Sequence, residues 1–275
     1  MLNEFRVNLC YSSFGCNIPQ TAIYLNDKLS DLTQVEKALK SDSSSQVTVL
    51  SQFIENAKTW NEFQKTKSKE ECNIVRREIS RHFVLDCLFA NRDVIGMDDS
   101  NILISETVGH TPQFIAYRID NGGALSFRAQ GKKKDVGEWQ EFVSEINLFC
   151  DESFNKNTGN MFSGFVNQDS ILQQTLEIMS NAERLIFPFL EPTDVQIVQQ
   201  RLDYLQNILG MFAVSSSALS SNTLGIVDDQ FDEATEVNQQ LVASLMEMGF
   251  SREQSEMALI ASNNNIETAL SFLFN

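Results

Sequence analysis

The chain has 275 residues with Lys+Arg 21 against Asp+Glu 37, a formal net charge of −16. With 42% apolar and 21% charged residues it is neither a disordered nor a fibrous composition, and the length suits one or two domains. The acid excess disfavours nucleic acid or an anionic membrane as partner, since both need clustered Lys and Arg. Among the first residues Glu4 and Arg6 interrupt any apolar run, so the N-terminus does not read as a signal peptide. No stretch approaches the roughly 20 apolar residues of a membrane span.

In chain order, Asn3 to about Ser13 predicts a helix with Phe5, Leu9 and Cys10 on one side and Gly15 as its stop. Extended segments follow at Thr21–Tyr24 and Gln46–Ile54, the second rich in β-branched residues. From Asn73 to Ala90 the period turns helical, with Val75, Ile79, Phe83, Cys87 and Ala90 on one stripe. Then Ile102-Leu103-Ile104 and Phe114 to Ile119 predict a hairpin. Asn101 enters its first strand and Asp120 leaves its second, so both lie at the open end, a few ångströms apart by strand spacing. Asp93, on the loop entering the hairpin, can face the same spot. Two acids and an amide converging there would offer hard oxygens to a magnesium ion and a carboxylate to an attacking hydroxyl.

Taken together, the helix, the Asn91-Arg92-Asp93 loop, Asn101, the hairpin and Ile119-Asp120-Asn121-Gly122-Gly123-Ala124-Leu125 resemble the catalytic core of atypical kinases. These are the phosphoinositide-kinase-like and HipA-type toxin kinases and the kinase-like domains of phage head proteins. Phe127-Arg128-Ala129-Gln130-Gly131 and Gly137-Glu138 fit the phage-type group best. The likeness runs from about Leu2 to Phe212. It implies Asp93 as catalytic base, Asn101 and Asp120 as metal ligands, Glu4 as the partner of a nucleotide-binding lysine, and Mg and ATP as cofactors. The family's Gly-rich loop and that lysine precede the first helix, whereas Lys28, Lys37 and Lys40 follow it. The resemblance therefore implies a degenerate or N-terminally incomplete kinase-like domain, a C-lobe with a partial N-lobe. Lys132-Lys133-Lys134 reads as an exposed basic loop.

Further on, Pro192 and Thr193 open a helix whose Val195, Val198, Leu202, Leu205, Leu209 and Phe212 form a core-facing stripe. From Val214 to about Glu236 the composition changes to Ser-rich, then acidic, and predicts a flexible linker. Residues 214–275 hold nine acids and one base, Arg252, which is half of the net charge. Beyond the linker, about Asn238 to Met248 predicts a helix with Leu241, Val242, Leu245 and Met248 inward. Ser251-Arg252-Glu253-Gln254 is a capping box for a second helix holding Met257, Ala258 and Ala261. Asn265 can cap a third, from Ile266 to Phe274.

Leu245-Met246-Glu247-Met248-Gly249-Phe250, Ala258-Leu259 and Asn264-Asn265-Ile266-Glu267-Thr268-Ala269-Leu270 resemble a ubiquitin-associated (UBA) domain over Val237 to Asn275. The resemblance implies a three-helix bundle that lays Met248, Gly249 and Phe250, with Leu273 and Phe274, on the apolar patch of ubiquitin. The overall expectation is α+β and mostly helical: residues 1–213 kinase-like, 214–236 linker, 237–275 UBA. The five cysteines show no ligand or disulfide spacing, so a reduced cytoplasmic or nuclear setting is expected.

Overall fold

The computed structural model describes residues 2–42, 44–107, 113–135, 139–220, 238–247, and Arg252, Ser255 and Leu259. The fold is α+β, with two small antiparallel sheets among many helices in the described residues. The chain divides into two compact units, Met1–Gln206 and Asn207–Asn275. Among the described residues no helix is long and apolar enough to cross a membrane.

Helix α1 spans Leu2–Ser13, and Gly15 closes it at φ +76°, as the sequence predicts. The first sheet has the order β2-β1-β3, from β1 (Thr21–Leu25), β2 (Lys28–Ser30) and β3 (Val47–Ser51). Asn26 and Asp27 both take positive φ, the conformation a two-residue hairpin turn requires and one that short polar side chains tolerate. Helix α2 (Leu32–Ser41) starts from an Asp31–Gln34 capping box. Phe5, Ile23 and Val35 form the buried centre between α1, the sheet and α2.

A larger core gathers the rest of the first unit. It takes in β4 (Lys58–Thr59), α3 (Trp60–Thr66), α4 (Lys69–Ser80) and α5 (Phe83–Leu88). The second sheet, β4-β5-β6, contains the expected hairpin, β5 (Ile102–Thr107) and β6 (Gln113–Arg118), with Ile102 opposite Arg118. A 3-10 turn at Asn121–Gly123 follows, then α6 (Glu145–Leu148), α7 (Lys156–Phe162), α8 (Gln168–Leu185), a 3-10 turn at Phe187–Phe189, and α9 (Pro192–Ser220). In the second unit lies α10 (Gln239–Glu247).

Three local expectations change. The single helix expected from Asn73 to Ala90 is two, α4 and α5, broken at Arg81–His82. The Arg81 and His82 N–H groups donate three residues back, to Glu78 and Ile79, and the Val84 N–H donates to Gln174 Oε1 at 3.0 Å instead of to the helix. The predicted stripe survives the break: Val75, Ile79, Phe83, Cys87 and Ala90 are all buried. Helix α9 runs on to Ser220, so the first residues of the stretch read as a linker are helical; extending an existing helix needs no new nucleus. The rest of that stretch lies outside the described residues. Finally, Lys134 is not simply an exposed cation. Its Nζ donates to Ala90 O at 2.8 Å and Leu125 O at 2.6 Å, tying the loop before Asp93 to the turn after Asp120.

Candidate functional sites

The open end of the β5–β6 hairpin is built as the sequence predicts. The ladder extends one step past Ile102, with the Ile119 N–H donating to Asn101 O at 3.0 Å, which sets Asn101 and Asp120 side by side. Asn101 Nδ2 donates to the Asp93 carbonyl at 2.7 Å, and the Asn101 N–H donates to Ile95 O at 3.1 Å. Gly96 makes this loop possible. It sits at φ +80°, and a methyl group on it would meet Asn101 Cγ and Oδ1 at 2.9 Å. From α7, Asn157 Nδ2 holds the outer side of the loop through Gly96 O at 2.8 Å and Met97 O at 2.7 Å.

Helix α1 is brought to the same place by Asn3, whose Nδ2 donates to Gly122 O at 3.0 Å and Ala124 O at 3.1 Å. The glycines of the turn then mark where the acids meet. A methyl on Gly122 would lie 3.9 Å from both Asp120 Oδ1 and Glu4 Cβ; one on Gly123 would lie 3.5 Å from Asp93 Cβ. Glu4, Asp93, Asn101 and Asp120, predicted as one site from widely spaced positions, are therefore together. Burial first, and the charge of Asp120 second, push the carboxyls of both Glu4 and Asp93 up. Asp120 is exposed, Asn101 is buried, and Glu4 and Asp93 are half-buried.

These residues fit a magnesium ion in kind. The amide nitrogen of Asn101 is spent on the Asp93 carbonyl, its oxygen accepts only a long hydrogen bond from the Ser100 hydroxyl at 3.5 Å, and the acids repel one another, which a bound cation would relieve. Among the described residues no group of three or more His, Cys, Asp or Glu is spaced as a metal cage.

Sequence reasoning missed the scaffold under this site. Arg118 and Asp86 form a buried bidentate pair, at 3.0 and 2.7 Å, and Tyr11 Oη donates to Asp86 Oδ1 at 2.8 Å. Asn91 Nδ2 donates to Tyr11 Oη and to Asn121 Oδ1, both at 3.2 Å, and Asn121 Nδ2 donates to Asn8 Oδ1 at 2.9 Å. One polar chain thus ties α1, α5, β6 and the turn after Asp120. The only sequence signal was that Asn91 and Asn121 lie within two positions of predicted site residues, Asp93 and Asp120. A second buried pair, Arg201–Glu145 at 2.7 Å, is joined by Arg92 at 3.2 Å, next to Asp93.

In the second unit, Asn238 Oδ1 accepts the Gln240 N–H at 3.0 Å and so caps α10. Val242 and Leu245 are buried, as the sequence predicts. Arg252, Ser255 and Leu259 are helical, Ser255 and Leu259 are buried, and Arg252 Nη2 donates to Gln239 Oε1 at 3.1 Å, joining this segment to the start of α10. The expected ubiquitin contacts Met248, Gly249, Phe250, Leu273 and Phe274 lie outside the described residues.

No curated protein matches the chain. Residues 237–273, the stretch with the capped α10 and its buried Val242 and Leu245, match the family of the UBA/TS-N domain, so the chain carries a UBA domain there.

Proposed function

We propose that the chain binds ubiquitin or ubiquitylated proteins through its UBA domain, using Met248, Gly249 and Phe250 at the first helix–helix corner and Leu273 and Phe274 at the end. The observation that carries this is the family match over residues 237–273. Val242, Leu245 and Leu259 are buried and supply core positions of the small bundle, which leaves the apolar patch of ubiquitin to the contact residues of the family. Such a role belongs in the cytoplasm or nucleus. Titrating ¹⁵N-labelled ubiquitin with the full chain should shift a contiguous apolar patch on ubiquitin. Phe250→Ala should weaken binding by about tenfold or more, the scale of losing a buried aromatic anchor. Absence of any shift, or an unchanged Phe250→Ala titration, would overturn the reading.

A second reading, that residues 1–213 form a kinase-like phosphotransferase domain, is favoured by one observation: Glu4, Asp93, Asn101 and Asp120 converge. Asn101 and Asp120 would hold Mg with ATP, which would supply the phosphoryl group. Asp93, its carboxyl raised, is suited to accept a proton from an acceptor hydroxyl. Glu4 would orient whatever cation meets the nucleotide. In calorimetric titrations with a non-hydrolysable ATP analogue, binding should require Mg and be lost in Asp120→Ala, whose side chain is exposed and whose folding is checked by its melting temperature because Asp120 stands at φ +54°. Mg-independent binding, or an unaffected Asp120→Ala, would place the nucleotide elsewhere.

A further inference from the structure

A cleft of about 390 Å³ opens between the end of α4, the start of α5 and the flank of α8, and none of the acids discussed above lines it. Its volume is in the range of small-molecule sites. We propose that this cleft is a separate ligand site that takes a small carboxylate with an apolar body.

The floor is apolar, made by Phe14, Leu85, Phe165 and Ile178. Ser80 lies at its edge and is only 5% exposed, and its Oγ has no hydrogen-bond partner. A buried hydroxyl without a partner is costly and calls for an explanation. The neighbouring polar groups cannot supply one. Gln174 has both ends occupied, Nε2 on Ser80 O at 3.0 Å and Oε1 on the Val84 N–H at 3.0 Å. His82 Nε2 faces Phe14 O at 3.2 Å, which fixes the imidazole as an Nε2–H donor, and no hydrogen bond joins it to the Ser80 hydroxyl. The Ser80 oxygen is itself shut off from solvent, so a turn of this side chain toward the cleft is what would bring the hydroxyl to a ligand oxygen and satisfy it.

The charges at the rim choose the ligand class. Arg81 is paired with Glu78 at 2.6 Å, whereas Arg77 makes no ion pair among the described residues. Glu177 stands on α8 across the cleft and opposes a second negative charge on the ligand. One unpaired guanidinium, one hydroxyl donor and an apolar floor match a monoanion: the carboxylate takes Arg77 and Ser80 while the hydrocarbon covers the phenylalanines.

The test uses the ¹⁵N-labelled full chain and benzoate, phenylacetate and hexanoate as probes, with benzyl alcohol as the uncharged comparison. At least one carboxylate should produce saturable shifts centred on the Ser80, His82 and Gln174 amides, with benzyl alcohol about tenfold weaker or worse, as loss of a charge-assisted hydrogen bond implies. Arg77→Gln should bring the best probe down to the level of benzyl alcohol. Ser80→Ala should weaken the probe while leaving the melting temperature of the free chain unchanged or higher, because the variant removes an unpartnered hydroxyl. Failure of all three carboxylates to saturate overturns the proposal. So does a Ser80→Ala chain that melts lower yet binds the probe normally, since the hydroxyl would then be a structural group.

Discussion

Replacing Arg118 with leucine should remove about 3–5 kcal/mol of stability, the loss expected when one partner of a buried ion pair is deleted and the other is stranded. The side chains of Arg118 and Asp86 are 3% and 0% exposed. Besides its two bonds to Asp86, the guanidinium donates to Ile79 O at 2.8 Å and to Cys16 Sγ at 3.2 Å. Without it, the Asp86 carboxylate keeps only the Tyr11 hydroxyl among these partners. Burial already pushes this carboxyl up, and Arg118 opposes the push. In the variant the folded form would hold a proton that the unfolded chain has released, so stability should fall as pH rises above the ordinary carboxylate range and recover in acid. Urea unfolding at several pH values would register this. The double variant Asp86→Leu/Arg118→Leu should regain much of the loss, since an apolar pair strands no charge. A single-variant loss below about 1 kcal/mol, typical of solvated pairs, would mean that water reaches the pair and the account is wrong. The effect bears on function because β6 runs from this pair directly to Asp120.

The parts of the molecule that were legible in the sequence are those governed by near neighbours. The hairpin follows from two apolar runs, the second ended by the turn residues Asp120-Asn121-Gly122-Gly123, and the ladder then carries Asn101 to Asp120 without further information. The UBA domain is legible because capping residues and a short apolar period specify its helices locally. What was not legible depends on residues far apart in the chain. Gln174 breaks the helix at His82 from 90 positions away. The Tyr11–Asp86–Arg118 pairing joins residues separated by 75 and 32 positions. No periodicity encodes such pairings, because each side chain alone reads as an ordinary polar residue on an amphipathic segment. Lys134 illustrates the same limit: within a basic run it looks solvated, and only the folded chain supplies the Ala90 and Leu125 carbonyls that hold it.

Acid should weaken the fold through His82, and His82→Gln should remove that weakness. The imidazole is mostly buried against Phe14, and burial first, then the positive charge of Arg118, push its pKa down to about 4. In the unfolded chain it titrates near the ordinary histidine value of about 6.5. Between these values the unfolded state binds a proton that the folded state refuses. The contribution of neutral His82 is therefore complete above about pH 6.5 and declines as pH falls toward 4. The full span corresponds to about 3 kcal/mol at 1.36 kcal/mol per unit. Glutamine keeps an N–H for the Phe14 carbonyl and does not titrate, so the stability of the variant relative to the native chain should rise steadily from pH 6.5 to 4. The carboxyls of Glu4, Asp93, Asp99 and Asp194, all raised mainly by burial, act with the opposite sign. They favour the folded state as pH falls, but they are common to both chains and cancel in the difference. Paired urea titrations at half-unit pH steps would isolate the histidine. If the two curves stay within about 0.5 kcal/mol of each other down to pH 4, the range of an ordinary surface substitution, then His82 is solvated in the folded chain and the buried-imidazole account fails.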